Sequence, residues 1–178
     1  IVAASGTGMQ QVMAIIDLLG GGISEAIGTG GRDLSKEVGG ITTCMGLAFL
    51  ESDPNTSVKV LISKPPHPDV RDSVIRMLDE GRKPAVACFM GEKTDDVDRR
   101  CSDKVVFACD LEETAISAYR LAGGDPKERL YCDDELRGMA YEIMAKGDVR
   151  GYFRGLYCGG TLCEETMMML SRVGIDVY

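Results

Sequence analysis

Apolar and polar positions alternate in blocks along the first 124 residues. Ile1-Val2-Ala3 opens as an apolar strand running to Ala4. Met9, Val12, Met13, Ile16 and Leu19 then recur at helical spacing, and Gly20-Gly21-Gly22 stops that helix. Ile23 to Ile27 alternates like a short strand. Ile41, Cys44, Met45, Ala48 and Phe49 predict a helix that closes at the Asp53-Pro54-Asn55 turn. Val58 to Ile62 and Pro84 to Met90 are unbroken apolar runs, as strands buried on both faces are. Between them Pro68 suits a first helical position, Val70, Val74, Met77 and Leu78 mark the inner face, and Gly81 ends the helix. Val105 to Ala108 predicts a further strand. Asp110 predicts the N-cap of a helix running to Leu121, stopped by Gly123-Gly124. Gly91 to Asp103 reads as a polar loop of solvated charges.

Strand and helix alternating about five times predict a parallel sheet covered on both faces, with right-handed crossovers. The expected order is the flavodoxin-like 2-1-3-4-5, with ligands beyond the strand ends between strands one and three. Residues 1–124 form that α/β unit. Residues 125–150 read as a linker plus an amphipathic helix, apolar at Leu136, Met139, Ala140, Ile143 and Met144. Residues 151–178 read as the start of a second, similar domain, with Ile175 to Val177 opening a strand.

Composition narrows the function classes. The chain has 178 residues, 44% hydrophobic, with net charge -8. That charge argues against nucleic acid and anionic membranes as partners, and no apolar run is long enough for a membrane span. Seven cysteines with no C-x-x-C spacing point to a reducing cytoplasm, and one histidine disfavours a His/Cys metal site.

The candidate chemistry lies in glycine turns that open helices. Ser5-Gly6-Thr7-Gly8-Met9 follows the first strand, and Gly159-Gly160-Thr161 repeats the pattern before the last helix. First-turn N–H groups have no internal acceptor, and the helix dipole adds positive potential there, so such turns hold phosphate or carboxylate. Two in one chain predict two half-sites aimed at one charged group. Gly28-Thr29-Gly30-Gly31 allows close backbone approach in the same way, and Arg32 beside it reaches an anion; a plain loop with solvated Arg32 and Asp33 is the alternative. Lys64 and His67 follow the third strand. No catalytic residue is assigned, but Lys64, His67 and Arg32 are the candidates, with His67 weighed mainly as a turn residue. Cys163 stands in the first turn of the last helix, where thiolates are stabilised, although a buried inert thiol is the commoner case. Met167-Met168-Met169 reads as core.

The strings Val2 to Leu34, Val60 to Pro66 and Leu156 to Cys163 together resemble the FdrA family of acyl-CoA-synthetase-like proteins. More distantly the chain is similar to the ligase domains of succinyl-CoA synthetase. The resemblance implies a ligase or a carbamoyltransferase, with phosphate or acyl or carbamoyl phosphate held by the paired turns. It also implies CoA as a cofactor, bound by a domain preceding this chain. A small-molecule substrate, and other subunits or further copies of the chain, are the implied partners. The synthetase's catalytic histidine stands after its fourth strand; the matching stretch, Gly91 to Asp103, has none. That departure suits oxamate carbamoyl transfer, which needs no phosphohistidine; a non-catalytic subunit is a further alternative.

Overall fold

The computed structural model describes residues 1–91, 104–126, 130–147, 152 and 154–177. The expected loop 92–103 lies outside these, as do 127–129 of the linker and 148–151 of the later connection.

Five parallel strands form one sheet: β1 (Val2–Ala3), β2 (Ile27–Gly28), β3 (Lys59–Ser63), β4 (Ala85–Phe89) and β5 (Val105–Ala108). Their order is β2-β1-β3-β4-β5, the flavodoxin-like arrangement. Its direction of winding reverses between β1 and β3, which pair Val2 with Leu61 and Ala3 with Ile62. Helices α1 (Gly6–Leu18), α2 (Ile41–Ser52) and α3 (Pro68–Glu80) make crossovers, and with α4 (Leu111–Leu121), which follows β5, they form the outer layers.

The strands are apolar on both faces because both faces are covered. Ala3, Val60, Ile62, Val86 and Cys88 pack with Val12, Ile15 and Ile16 of α1 and Leu111 and Ala115 of α4. Their neighbours Val2, Leu61, Ala85, Ala87 and Phe89 point the other way, onto Leu47 and Leu50 of α2 and Val70, Val74 and Leu78 of α3. This is the period-2 alternation of strands, repeated in register across the sheet.

Lys59 is the exception in β3. It is only 2% exposed, and Glu51 Oε2 meets its Nζ at 2.7 Å. Burial alone would raise the Glu51 pKa. Hydrogen bonds from Lys59 and the Arg82 amide, with the Lys59 charge, outweigh that and hold it at about 2.

Several expectations need correction. Helix α1 begins at Gly6 rather than Met9, so the glycine turn is its first turn. The strand expected over Ile23 to Ile27 shrinks to Ile27–Gly28, because this sheet edge leaves Ser24, Glu25 and Ala26 outside the ladder. No strand precedes Gly159 among the described residues: Leu156 is fully exposed and has no neighbouring strand to pair with. Ile175 to Val177 form no strand either.

Two more helices complete the described chain, α5 (Asp133–Ala145) and α6 (Gly160–Arg172). The predicted apolar face of α5 is open to solvent, with Leu136, Met139, Ile143 and Met144 all exposed. Helix α6 lies against α1, and its Leu162 and Met168 join the core layer between α1, α4 and the sheet. Met167 and Met169 stay exposed, so only the middle methionine of the triplet packs inward.

Candidate functional site

Six helix starts invite comparison, because each carries N–H groups with no intrahelical acceptor. Four are satisfied or neutralised by the chain itself. At α2 the buried Asp33 carboxylate accepts from the Thr42 amide (3.0 Å) and the Thr43 amide (2.8 Å). Burial pushes the Asp33 pKa up, but these bonds from Thr43 and Thr42 bring it below the usual carboxylate range. Helix α3 starts with Pro68, which has no N–H, and places Asp69 in its first turn. At α4 Asp110 accepts from the Glu113 amide at 2.7 Å, and Glu165 of α6 accepts from the Leu111 amide at 2.8 Å. Helix α5 opens on Asp133, Asp134 and Glu135.

Helices α1 and α6 differ. Neither has an acidic residue in its first turn. At α1 the Ser5 hydroxyl accepts from Gly8 N (3.0 Å), and Met9 N bonds Ser5 O (3.0 Å). Gly8 and Met9 therefore have their amides taken, which narrows the expected Ser5-to-Met9 anion contacts to the amides of Gly6 and Thr7. At α6 the N-cap Gly159 offers no side chain, and the internal ladder begins at Cys163 N to Gly159 O. The amides of Gly160 and Thr161 precede that first bond.

These two starts meet. The buried hydroxyls of Ser5 and Thr161 share a hydrogen bond of 2.5 Å. A Cβ at Gly8 would come 3.2 Å from Thr161 Cγ2, and one at Gly159 would overlap the Thr7 side chain. Gly159 is therefore required by the close approach of the two turns, while at Gly8 the tightest neighbour is Ser5 Oγ of its own cap, at 2.9 Å. The meeting point sits beyond the carboxyl ends of β1 and β3, at the reversal of strand order, where open α/β sheets bind ligands.

The remaining candidates are spread along the same edge. Lys64 follows β3 and pairs with Glu164 at 2.5 Å, so its charge is already matched by α6. Gly28 ends β2, the Thr29 amide bonds Ala3 O, and Gly30 takes a positive φ of 83°. A Cβ at Gly31 would stand 4.0 Å from Ala4 O, so this loop runs beside the end of β1. Arg32 is exposed; its neighbour Asp33 is not the solvated charge of the plain-loop alternative but the buried cap of α2. His67 is the N-cap residue of α3, with Nδ1 3.7 Å from Asp69 Oδ2 and its amide bonded to Leu34 O. Cys163 is partly exposed, its sulfur 4.0 Å from that of Met167. A 290 Å³ cavity lined by Ile16, Ser24, Val58 and Tyr119 lies at the opposite, amino end of the strands.

The contacts missed from sequence are those of Glu164, Glu165 and Asp33. The first two cross 100 and 54 residues of chain, and no local spacing announces them. Asp33 had a usable signal, a carboxylate shortly before a helix that lacks a polar N-cap.

Two comparisons bear on these features. The sequence profile of the family described as CoA binding domain matches residues 1–91. The chain is also similar to uncharacterized protein YahF of Escherichia coli (strain K12), with 41% identity over 185 aligned positions. That alignment covers 100% of this chain and 34% of the relative, so the chain spans about a third of the relative's length.

Proposed function

The chain belongs to the CoA binding domain family, and from that premise we propose that it is the anion-binding part of an acyl-CoA-synthetase-like protein. The family match also corrects one expectation: the CoA-binding domain expected ahead of this chain falls on residues 1–91 of the chain itself.

In this reading a phosphate or acyl phosphate docks where α1 and α6 begin. The N–H groups of Gly6 and Thr7 donate from one side, and those of Gly160 and Thr161 from the other. Both helix dipoles point positive charge at the same place, and no carboxylate of either first turn competes for it. In acyl transfer the same donors would stabilise charge building on the phosphoryl oxygens. The observation that carries the reading is the convergence of the two helix starts without acidic caps, held by the Ser5–Thr161 bond. Lys64 is a weaker candidate for neutralising charge than the sequence suggests, because Glu164 already pairs with it. Arg32 remains exposed and able to swing toward the Gly28–Gly31 side of the edge.

Carbamoyl transfer, as in an oxamate carbamoyltransferase subunit, is the second reading. The absence of histidine from residues 91–103 favours it, since carbamoyl phosphate forms without a phosphoenzyme. The deciding experiment uses the full-length protein, alone and with candidate partner subunits. Isothermal titration measures CoA, phosphate and carbamoyl phosphate binding, and turnover is followed with and without CoA. CoA-dependent acyl transfer supports the ligase. Carbamoyl phosphate formed from oxalurate and phosphate without nucleotide supports the second reading. Phosphate binding without turnover in any mixture assigns a non-catalytic subunit, and no anion binding at all rejects the site.

A further inference from the structure

Ser5 and Thr161 join the two turns through their hydroxyls, and the hydrogens at that joint outnumber their acceptors. Both residues are buried, each 8% exposed, and the two oxygens stand 2.5 Å apart. A hydroxyl carries one hydrogen and two lone pairs. Ser5 Oγ already accepts from Gly8 N at 3.0 Å. One hydroxyl hydrogen makes the bond between the pair. The other has no acceptor among the described residues, whichever of the two donates.

The groups around the joint do not take that hydrogen up. The carbonyls of both cap residues are engaged, Ser5 O by Met9 N and Gly159 O by Cys163 N. The ground behind the pair is apolar: a Cβ at Gly8 would lie 3.2 Å from Thr161 Cγ2 and 3.4 Å from Ile62 Cγ2. Neither first turn holds a carboxylate, and Glu164, the first acidic residue of α6, is exposed and paired with Lys64. A buried donor in this state costs stability unless a ligand accepts from it. The amides of Gly6, Thr7, Gly160 and Thr161 are donors as well. Thr161 keeps a lone pair, but a ligand hydrogen spent on it still leaves the surplus one unmatched.

We propose that this hydroxyl pair is a selectivity element: the site takes a tetrahedral dianion without a hydrogen, the phosphoryl group of an acyl phosphate or phosphate monoester, in preference to inorganic hydrogen phosphate. The proposal rests on the anion-site reading and narrows its substrate class. Hydrogen phosphate has the same charge and nearly the same size, but its P–OH needs an acceptor. Turned toward the pair, that hydrogen meets another hydrogen. An ester or acyl phosphate has its fourth oxygen blocked by carbon. A monoester loses its last ionisable hydrogen at about pH 6 and above that presents three bare oxygens. The site therefore holds an acyl or carbamoyl phosphate more firmly than free phosphate.

The test compares sulfate, methyl phosphate and inorganic phosphate by isothermal titration into the full-length protein at about pH 8. All three are dianions there, so charge cancels in the comparison and only phosphate keeps a hydrogen. Sulfate and methyl phosphate should bind within a few-fold of each other. Phosphate should bind about 5- to 150-fold more weakly, the range for one mismatched buried donor. Ser5→Gly combined with Thr161→Val removes both hydroxyls. Glycine still serves as an N-cap, so calorimetric melting should change little, and sulfate and phosphate should now bind alike. T161V alone leaves the Ser5 hydrogen unmatched and should keep the preference. Wild-type protein that binds phosphate as tightly as the other two overturns the selectivity and leaves the anion site standing, a result that needs no variant to fold. A folded double variant that keeps the full preference overturns the hydroxyl pair as its source. Sulfate bound with methyl phosphate excluded overturns the ester and acyl phosphate class. Binding of none of the three rejects the anion site and the proposal with it.

Discussion

Gly6→Pro removes one N–H from the proposed site and little else. Gly6 is the first residue of α1, the position where proline is best tolerated, because that amide has no helical acceptor. A residue before proline must be extended, and Ser5 already is, at φ -121° and ψ 113°. A Cβ at Gly6 meets nothing within 4 Å, so the ring has room. The fold should hold or gain slightly, since proline restricts the unfolded chain. What is lost is one donor to a charged group. Such bonds contribute about 1.5–3 kcal/mol, so phosphate affinity should fall about 10- to 150-fold. Gly6→Ala is the control: it fills the same space, keeps the N–H, and should bind as the wild type does. Isothermal titration reads the affinity and calorimetric melting reads the fold. If the proline variant melts normally and binds phosphate like the alanine variant, the Gly6 amide is no ligand and the α1 half of the site fails.

Gly159→Ala should push α6 off α1, because its Cβ would lie 2.8 Å from the Thr7 Cβ. Overpacking of this kind costs about 1–3 kcal/mol, and Thr7→Ala should relieve part of it; strict additivity in a double-mutant cycle would show that the turns do not meet. Glu51→Gln should destabilise by about 3 kcal/mol, because it leaves Lys59 buried and unpaired, and Lys59→Met should cost less. With its pKa held at about 2, Glu51 stabilises the fold above the ordinary carboxylate value and loses that as pH falls toward 2, so urea midpoints of E51Q should lack this share of the acid limb. Cys88, its thiol pushed up to about 12 by burial, should resist alkylation at mildly alkaline pH until unfolding, while the exposed Cys132 and Cys158 react first; early labelling of Cys88 would refute its placement in the core.

Much of the fold was legible because it is local. Val58 to Ile62 and Pro84 to Met90 are apolar without alternation, which only two-sided burial explains, and β3 and β4 are buried throughout. Pro68, Gly81 and Asp110 stand at the ends of α3 and α4 as their backbone chemistry predicts. Period-2 alternation misled at Ile23 to Ile27, because an edge strand has one neighbour and its length depends on β1, not on its own sequence. The apolar run around Leu156 misled for a related reason, whereas the amphipathic helix expected from Asp133 to Lys146 is present as α5, with its apolar face exposed. Apolar spacing says a face prefers cover; it does not say the described residues supply it.

The paired turns were legible as two motifs but not as one place. Each motif alone fits a capped helix, and glycine alone fits close approach of any backbone. The geometry changes the weight of these alternatives in two opposed ways. It explains Gly8 and Gly159 without a ligand, since Ser5 and then Thr161 crowd the first and Thr7 fills the space at the second. It also removes the competing caps, since carboxylates neutralise α2, α4 and α5, proline opens α3, and α1 and α6 have neither. A structural reason for the glycines accounts for how the helices meet. It does not account for two helix starts brought together with no carboxylate in either first turn, and that is the feature on which the proposed anion site rests.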